Sequence, residues 1–372
     1  MRPTFAEIDL SAIHHNLSQV RKKVGKRPLI MAVVKANAYG HGMVAVARSV
    51  LKEEAASYLG VAIVEEGMTL RQHRITAPIL VLTAAPEPQL RLFVEHNLDA
   101  TLCSMAVAER LNGVAASLGK KAVVHVKVDT GMGRIGIAPR EAISFISRLK
   151  LLDHINVEGI FTHFATADER NLSFARKQLS EFRSLLSALH LAGIDIPLKH
   201  CANSGAILQL PESHLDMVRP GIMIYGYYPS RSTRKAVPLR PVMSLRSRIE
   251  FMKTVDKGTS ISYGRKYYTN SKTKIASVSI GYGDGFSRRL TNRANVLVNG
   301  KKYPIVGTIC MDQLMVDVGS RSTCGVGDRV TLMGRDGGQE ISCLQISETL
   351  GTIPYEVFCS VTERVPRKYI NG

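Results

Sequence analysis

Lys35 stands at the end of an apolar, β-branched run and just ahead of a glycine-flanked turn, in Ala32-Val33-Val34-Lys35-Ala36-Asn37-Ala38-Tyr39-Gly40-His41-Gly42. Lysine is among the residues least often buried, because its charge is costly to remove from water. A lysine so placed either snorkels its ammonium to solvent or does work with its amine. The commonest such work is a Schiff base to a carbonyl cofactor or substrate. Taken by itself the lysine leaves both readings open.

Other residues able to do chemistry fall at regular intervals, and the elements that must position them follow from the apolar pattern. After a helix-like stretch over 9–24, short apolar strand candidates lie at 29–34, 58–63, 78–82, 99–103, 122–128, 155–161, 197–202 and 216–219. Helix-length segments separate them. Strands alternating with helices imply parallel βαβ units, and eight such units suggest a (β/α)8 barrel, a TIM barrel, over 10–235. A doubly wound open sheet is the alternative, but no Gly-x-Gly-x-x-Gly follows the first strand. Past residue 235 the pattern changes. Pro238, Pro241 and a run of Arg and Ser mark a linker. Beta-rich segments follow at 244–251, 274–280, 294–298, 303–306, 313–318 and 329–333, with turn signals at Asn299-Gly300 and Asp336-Gly337-Gly338. They predict a separate, mainly β domain over 236–372.

Composition narrows the function classes. A chain of 372 residues suits one large and one small domain. The formal charge of +18 is spread out, with modest clusters at 21–27, 231–248 and 364–368. No aromatic-interleaved RNA motif or helix-turn-helix pattern accompanies it, so nucleic acid is not the expected partner. A basic surface can steer an anionic substrate or cofactor. No apolar run is long enough to cross a bilayer, and residues 1–9 lack the apolar core of a secretory signal. The six cysteines, at 103, 201, 310, 324, 343 and 359, never form Cys-x-x-Cys. That spacing predicts no metal site and fits a cytoplasmic protein with reduced thiols.

Barrel active sites lie at the C-terminal ends of the strands. Alternation puts Met31, Val33 and Lys35 on one face of the first strand. The fifth strand places His125, Lys127 and Asp129 opposite Val124, Val126 and Val128, so the polar trio points into the barrel. It runs on into Thr130-Gly131-Met132-Gly133-Arg134. His163 ends the sixth strand, His200-Cys201-Ala202-Asn203-Ser204-Gly205 the seventh, and Val218-Arg219-Pro220-Gly221-Ile222 the eighth. Ser204 at a predicted helix N-terminus and Gly221 after the eighth strand suit a phosphate. A phosphate site, a strand-end lysine and Tyr39 together suggest pyridoxal 5'-phosphate (PLP).

These motifs closely resemble those of the alanine racemase family, over nearly the whole chain. The resemblance implies a PLP-binding (β/α)8 barrel and a C-terminal β domain that the N-terminal strand, 1–9, joins. It implies that Lys35 holds PLP covalently, that Tyr39 lies near the phosphate, and that His163 stacks on the ring. His200, Asn203, Ser204, Gly221 and Ile222 match cofactor and phosphate positions. Arg219 matches the arginine that hydrogen-bonds the pyridine nitrogen. Arg134, in Lys127-Val128-Asp129-Thr130-Gly131-Met132-Gly133-Arg134, matches an arginine of the substrate region, and the lysine of that stretch is carbamylated in some members. In the second domain, Ile261-Ser262-Tyr263-Gly264 resembles the segment of a second catalytic base, Tyr263. Cys310-Met311-Asp312-Gln313 resembles a loop whose Met311 backbone binds the substrate carboxylate. Tyr355 matches a tyrosine near the phosphate and entry channel, and Arg288 an entrance residue.

The activity so implied is the interconversion of L-alanine and D-alanine by two opposed bases, supplying D-alanine for peptidoglycan. Lys35 would serve one face of the substrate and Tyr263, from the other subunit of a homodimer, the opposite face. A broad-specificity racemase is one alternative. A decarboxylase of the same architecture is another, although such enzymes place a carboxylate where this chain offers Arg219. A cofactor-binding protein built from the barrel alone is a third, which the second domain argues against.

Overall fold

Runs rich in Val, Ile and Leu, bounded by polar segments, become strands because branched side chains pack well on a buried pleat. The structure, a computed structural model, describes residues 2–52 and 55–372. Met1, the first residue of the expected strand 1–9, lies outside the described residues. The chain divides into two compact units: the described parts of Ala12–Ala38 with Met43–Arg240, and of Met1–Ser11, Tyr39–Gly42 and Pro241–Gly372.

In the first unit eight parallel strands are ordered, in chain sequence, Leu29–Val33, Tyr58–Val61, Ile79–Ala84, Asp99–Leu102, Ala122–Lys127, Ile155–Phe161, Leu198–His200 and Met217–Val218. Each pairs with its sequential neighbour from the first to the seventh, and the eighth pairs back on the first through Leu29↔Met217 and Ile30↔Val218. Closure between seventh and eighth rests on Asp216 N–H to Lys199 O, Arg219 N–H to Ala202 O and a bridge between Asn203 and Arg219. The expected closed barrel is what forms. Its outer face is covered by helices whose apolar residues recur at helical spacing. Ala142–Leu149 buries Ala142, Phe145, Ile146 and Leu149, an i, i+3, i+4, i+7 stripe. Ser173–Leu191 buries Ala175, Leu179, Phe182, Leu185 and Leu189 along one face. Each such fully buried large side chain contributes about 1.5–3 kcal/mol of transfer free energy.

One local expectation is corrected. The first barrel strand ends at Val33, so Lys35 does not continue its alternation. Instead Lys35 opens a turn in which Ala36, Asn37 and Ala38 are left-handed, with φ of 51–53° and ψ of 46–53°. Tyr39 and Gly40 continue it with φ of 52° and 77°. Left-handed backbone costs an L-residue about 1–2 kcal/mol, and such strain persists only where surrounding contacts over-determine it.

In the second unit the strand Met243–Val255 is the organiser. It pairs with Phe5–Asp9, Thr273–Val278 and Arg329–Asp336, all antiparallel. Phe5–Asp9 also pairs in parallel with Arg367–Ile370. Asn295–Val298, Lys301–Pro304, Leu314–Asp317 and Gln339–Ile341 complete the sheet among the described residues. Two helices absent from the sequence reading, Cys343–Leu350 and Pro354–Ser360, belong to this unit. Their signals are present in the chain: Ser342 and Gln345 form a capping box, and Pro354 occupies the first turn.

Candidate active site

Arg219 follows the two-residue eighth strand and is fully enclosed at the end of the barrel where the strands finish. Its Nη1 donates to His200 Nδ1 at 2.8 Å. Its Nη2 donates to Thr162 O at 2.8 Å, and to His163 Nδ1 and Cys201 O at 3.2 Å each. All four acceptors are uncharged when the imidazoles are neutral. Burial lowers the guanidinium pKa to about 10, still cationic at neutral pH. A buried cation held by neutral groups is a ready partner for an electron-rich ring nitrogen or an anion.

His163 reports what else surrounds this place. Burial holds its imidazole well below the ordinary histidine range. The basic groups acting with burial are, in order, Arg219, Lys127, Arg134 and Lys35. The structure therefore brings Lys35, Arg134 and Arg219, drawn from three strand ends, within electrostatic reach of one imidazole. Lys127 is 2% exposed, and its Nζ lies 4.7 Å from the Phe161 ring centre. It is an orphaned buried donor among the described residues. Burial first, then Arg219 and Arg134, bring its pKa down to about 7, so much of this amine is neutral under ordinary conditions. Asp129 does not continue the inward row. Its carboxylate accepts the backbone N–H groups of Gly131, Met132 and Gly133 and shapes the turn that carries exposed Arg134.

The strained turn after Lys35 is held by side chains the sequence reading did not single out. Ala36 N–H donates to Glu66 Oε1 at 2.6 Å, while Glu66 Oε2 accepts from Ala62 N at 2.7 Å. Met43 N–H donates to Asn37 Oδ1 at 2.8 Å, and Tyr225 Oη donates to Val33 O at 2.9 Å. Gln178 performs the same service after the sixth strand. Its Nε2 donates to His163 O at 3.1 Å and its Oε1 accepts from Ala165 N at 3.0 Å. Glu66 had one readable signal, its place three residues into a helix beginning after Ile63. Gln178 had none, because a buried polar residue on a long helix looks like any polar position until the fold closes over it.

The seventh and eighth strand ends form a cradle. Asn203, not Ser204, caps the helix Ser204–Gln209, its side chain accepting from Ala206 N at 3.0 Å. Ser204 Oγ instead accepts from Gly221 N at 2.9 Å, tying the two strand ends together. Gly221 and Ile222 are buried at the start of the short helix Ile222–Tyr225. Hydroxyl and backbone N–H groups so gathered match what a phosphate accepts from.

The second unit holds the remaining nominated residues. Tyr39 is buried, with its ring centre 5.7 Å from that of half-buried Tyr355. Tyr263 is 72% exposed on the short turn Tyr263–Arg265. That turn is bound to the loop carrying Met311. Thr308 Oγ1 donates to Tyr263 O at 2.7 Å and Ser262 Oγ donates to Thr308 O at 2.6 Å. Met311, 52% exposed, has its carbonyl fixed by Gly283 N–H at 2.9 Å. A Cβ on Gly281 would sit 2.4 Å from that carbonyl, so glycine is required there. Arg288 is exposed at the head of Arg288–Leu290.

Beneath the mouth the barrel interior carries Asp99, Tyr58 and His125, of which the sequence reading singled out only His125. Burial pushes the Asp99 carboxyl up to about 7, with Tyr58 and Arg71 opposing and Glu158 adding to the rise. His125, the other ionisable group facing it, is held down to about 3 by burial and by Arg219 and stays neutral. Between about pH 4, where an unfolded aspartate titrates, and pH 7, the folded protein keeps a proton that the unfolded chain has released. Asp99 therefore makes stability fall as pH rises through that window, by on the order of 4 kcal/mol. Denaturant midpoints at about pH 4.5 and 7.5 check this. The parent is expected to lose stability across the interval relative to Asp99→Asn, and parallel behaviour would show that Asp99 titrates normally.

Fold and site together define an enzyme of the barrel class whose cation-lined mouth suits an anionic cofactor and substrate. The chain matches the alanine racemase N-terminal domain over residues 8–229 and the alanine racemase C-terminal domain over residues 242–369. It is 47% identical over 370 residues to an alanine racemase of Halothermothrix orenii, covering 100% of this chain and 97% of that one. Among solved structures, alanine racemase of Clostridium difficile 630 superposes with a TM-score of 0.95 at 43% identity, covering 99% of this chain and 96% of that one. A histidine racemase from Leuconostoc mesenteroides superposes with a TM-score of 0.92 at 29% identity, covering 100% and 98%. The chain belongs to the alanine racemase family, and it is an isomerase, an amino-acid racemase.

Among the described residues no helix is long and apolar enough to cross a membrane, and no cluster of His, Cys, Asp and Glu could hold a metal ion.

Proposed function

We propose that this racemase interconverts L-alanine and D-alanine with PLP held on Lys35, as a cytoplasmic homodimer with shared active sites that feeds D-alanine to peptidoglycan. The observation that carries the reading is the single imidazole, His163, with the basic side chains of Arg219, Arg134, Lys127 and Lys35 acting on it, the last of them the lysine of a strained turn. Phosphate and carboxylate are the anions that such a site calls for, and the neutral acceptors around Arg219 leave it free of a competing acid. The residues present therefore fit the cofactor. Bound there, PLP supplies the electron sink that acidifies the substrate's α-hydrogen.

The protein's own groups take these parts. Tyr39, Asn203, Ser204, Gly221, Ile222 and Tyr355 hold the phosphate, His163 lies on the ring, and Arg219 meets the ring nitrogen. Arg134 and the Met311 backbone orient the substrate carboxylate. The Lys35 amine takes or returns the α-proton on one face. Tyr263 of the partner subunit does so on the other, a role supported by its exposure at 72%. Carbamylation of Lys127 would give Arg134 a carboxylate to meet, and the orphaned, partly neutral amine suits that reaction.

A broader substrate range is the second reading, favoured by the likeness to a histidine racemase. The decarboxylase reading is disfavoured, since Arg219 occupies the place where a carboxylate would be needed.

Borohydride reduction of the PLP-loaded protein followed by peptide mapping tests the proposal. The pyridoxyl adduct is expected on Lys35, and an adduct on Lys127 or Lys199 would overturn the assignment. D-alanine formation, followed beside a panel of other amino acids, separates the two substrate readings.

A further inference from the structure

The interior of this barrel contains a row of polar side chains running from the strand starts to the strand ends. Tyr58 and Asp99 are the first residues of the second and fourth strands. His125 lies midway along the fifth, His200 ends the seventh, and Arg219 follows the eighth. Barrel interiors are normally filled by layers of branched apolar residues, so a continuous polar row through the core calls for an explanation.

Four contacts link the row. Arg219 Nη1 meets His200 Nδ1 at 2.8 Å, His200 Nε2 meets His125 Nδ1 at 2.9 Å, and His125 Nε2 meets Tyr58 Oη at 3.2 Å. Tyr58 Oη donates to Asp99 Oδ2. The rings have no room to turn. His200 stacks on Phe161 with 4° between planes, and a Cβ on Gly159 would stand 2.1 Å from His125 Nδ1, so only glycine admits that imidazole.

The two ends dictate one direction. A guanidinium can only donate, so His200 Nδ1 accepts. Neutral His200 then carries its proton on Nε2 and donates to His125 Nδ1. Neutral His125 in turn carries its proton on Nε2 and donates to Tyr58, whose own hydroxyl is left to donate to Asp99. Burial and Arg219 hold both imidazoles neutral. With Asp99 ionised, every bond in the row has a single possible donor, and Asp99 is the acceptor that lets the last one form.

We propose that Asp99 and Tyr58, at the floor of the barrel, are positioning residues for the mouth. They terminate a one-way row of hydrogen bonds that fixes the tautomers of His125 and His200 and so holds the Arg219 guanidinium in register for the cofactor ring. Without an acceptor at the floor, His125 can take its proton on Nδ1. It then opposes the His200 Nε2–H, and the conflict passes up the row to Arg219. This rests on the PLP reading only where the cofactor is invoked; the direction of the row does not.

Neutron diffraction from deuterium-exchanged crystals of the parent protein at about pH 8 reads the row itself. Deuterium on Nε2 of both His125 and His200 is expected, and deuterium on Nδ1 of either would overturn the proposal whether or not PLP is bound. Spectroscopic titration with PLP reads the consequence. Tyr58→Phe and Asp99→Leu are each expected to raise the dissociation constant for PLP about tenfold, and the double variant no further, because both act through one row. Asp99→Asn, which keeps an acceptor for the tyrosine, is expected to stay within about threefold of the parent. Multiplying effects in the double variant, unchanged affinity in both singles, or an Asp99→Asn as impaired as Asp99→Leu would each defeat the positioning role. A parent that takes up no PLP would count against the functional reading, leaving the neutron result to judge the row.

Discussion

Tyr263→Phe is expected to slow α-proton exchange from L-alanine by about 10²- to 10⁴-fold, the usual contribution of a positioned acid–base group. Exchange from D-alanine, which the proposed two-base arrangement gives to Lys35, should change far less. PLP uptake should be unaffected, since the variant removes one oxygen from an exposed ring on a turn whose backbone bonds involve Thr308 and Ser262. Stability should stay within about 0.5 kcal/mol of the parent. Exchange of the α-hydrogen in deuterated water, followed by NMR for each enantiomer separately, makes the comparison. Equal small losses for both would rule out a two-base role. Because the proposed site is shared across a homodimer, mixing inactive Lys35→Ala and Tyr263→Phe subunits should restore part of the activity, one of the two sites in each mixed dimer being intact. No recovery in verified mixed dimers would sink the shared site.

The second large effect is expected at Arg219. Arg219→Glu should lower racemisation by about 10²- to 10³-fold, the scale of losing one preorganised electrostatic contact. It should also change what is made. A cation facing the ring nitrogen disfavours protonation there, and a carboxylate favours it. With PLP bound, a protonated ring would be the stronger electron sink, and half-transamination, in which water releases pyruvate and the amino group stays on the cofactor, would rise relative to racemisation. The measurement is the ratio of pyruvate formed to alanine racemised, in variant and parent with PLP confirmed bound. The surroundings demand a control. In the parent the guanidinium satisfies Thr162 O, Cys201 O and His200 Nδ1, and a buried carboxylate would face those same acceptors. Arg219→Gln retains a donor without the charge, and it should keep the product ratio near the parent's while sharing some of the lost stability. A ratio unchanged in Arg219→Glu would leave Arg219 only a structural role.

How far the site could be read from the chain depends on the range over which each residue acts. Alternating apolar strands and helical stripes are local patterns with periods near two and 3.6 residues, and so the eight barrel strands were legible with errors of a residue or two at their ends. The inward face of His125 and Lys127 followed from the same alternation. Lys35 was legible as unusual because a charge beside a β-branched run is unfavourable wherever the chain folds. Its backbone was not. Strand continuation is the local default there. The left-handed turn is held because Glu66 accepts the Ala36 N–H and the Asn37 side chain accepts the N–H of Met43, at the start of the next helix. Which of Asn203 and Ser204 caps the helix was not legible for a similar reason: Asn and Ser are comparable caps, and the position of Gly221 N draws Ser204 away and leaves the cap to Asn203. The helices Cys343–Leu350 and Pro354–Ser360 carry local caps, but they are short and follow a long β-rich stretch whose alternation dominates the local pattern.

By itself, then, the sequence determined the barrel, the order of its elements and the chemistry available at each strand end, because those rest on side-chain periodicity and residue type. Tertiary structure alone decided which groups share an environment. His163 feels Lys35, Lys127, Arg134 and Arg219 only after closure brings separate strand ends together. Asp99, Tyr58, His125 and His200 become one directed row only because Gly159 leaves room and burial keeps the imidazoles neutral. Hydrogen-bond direction and pKa depend on neighbours through space and on the exclusion of water, and neither exists along an unfolded chain.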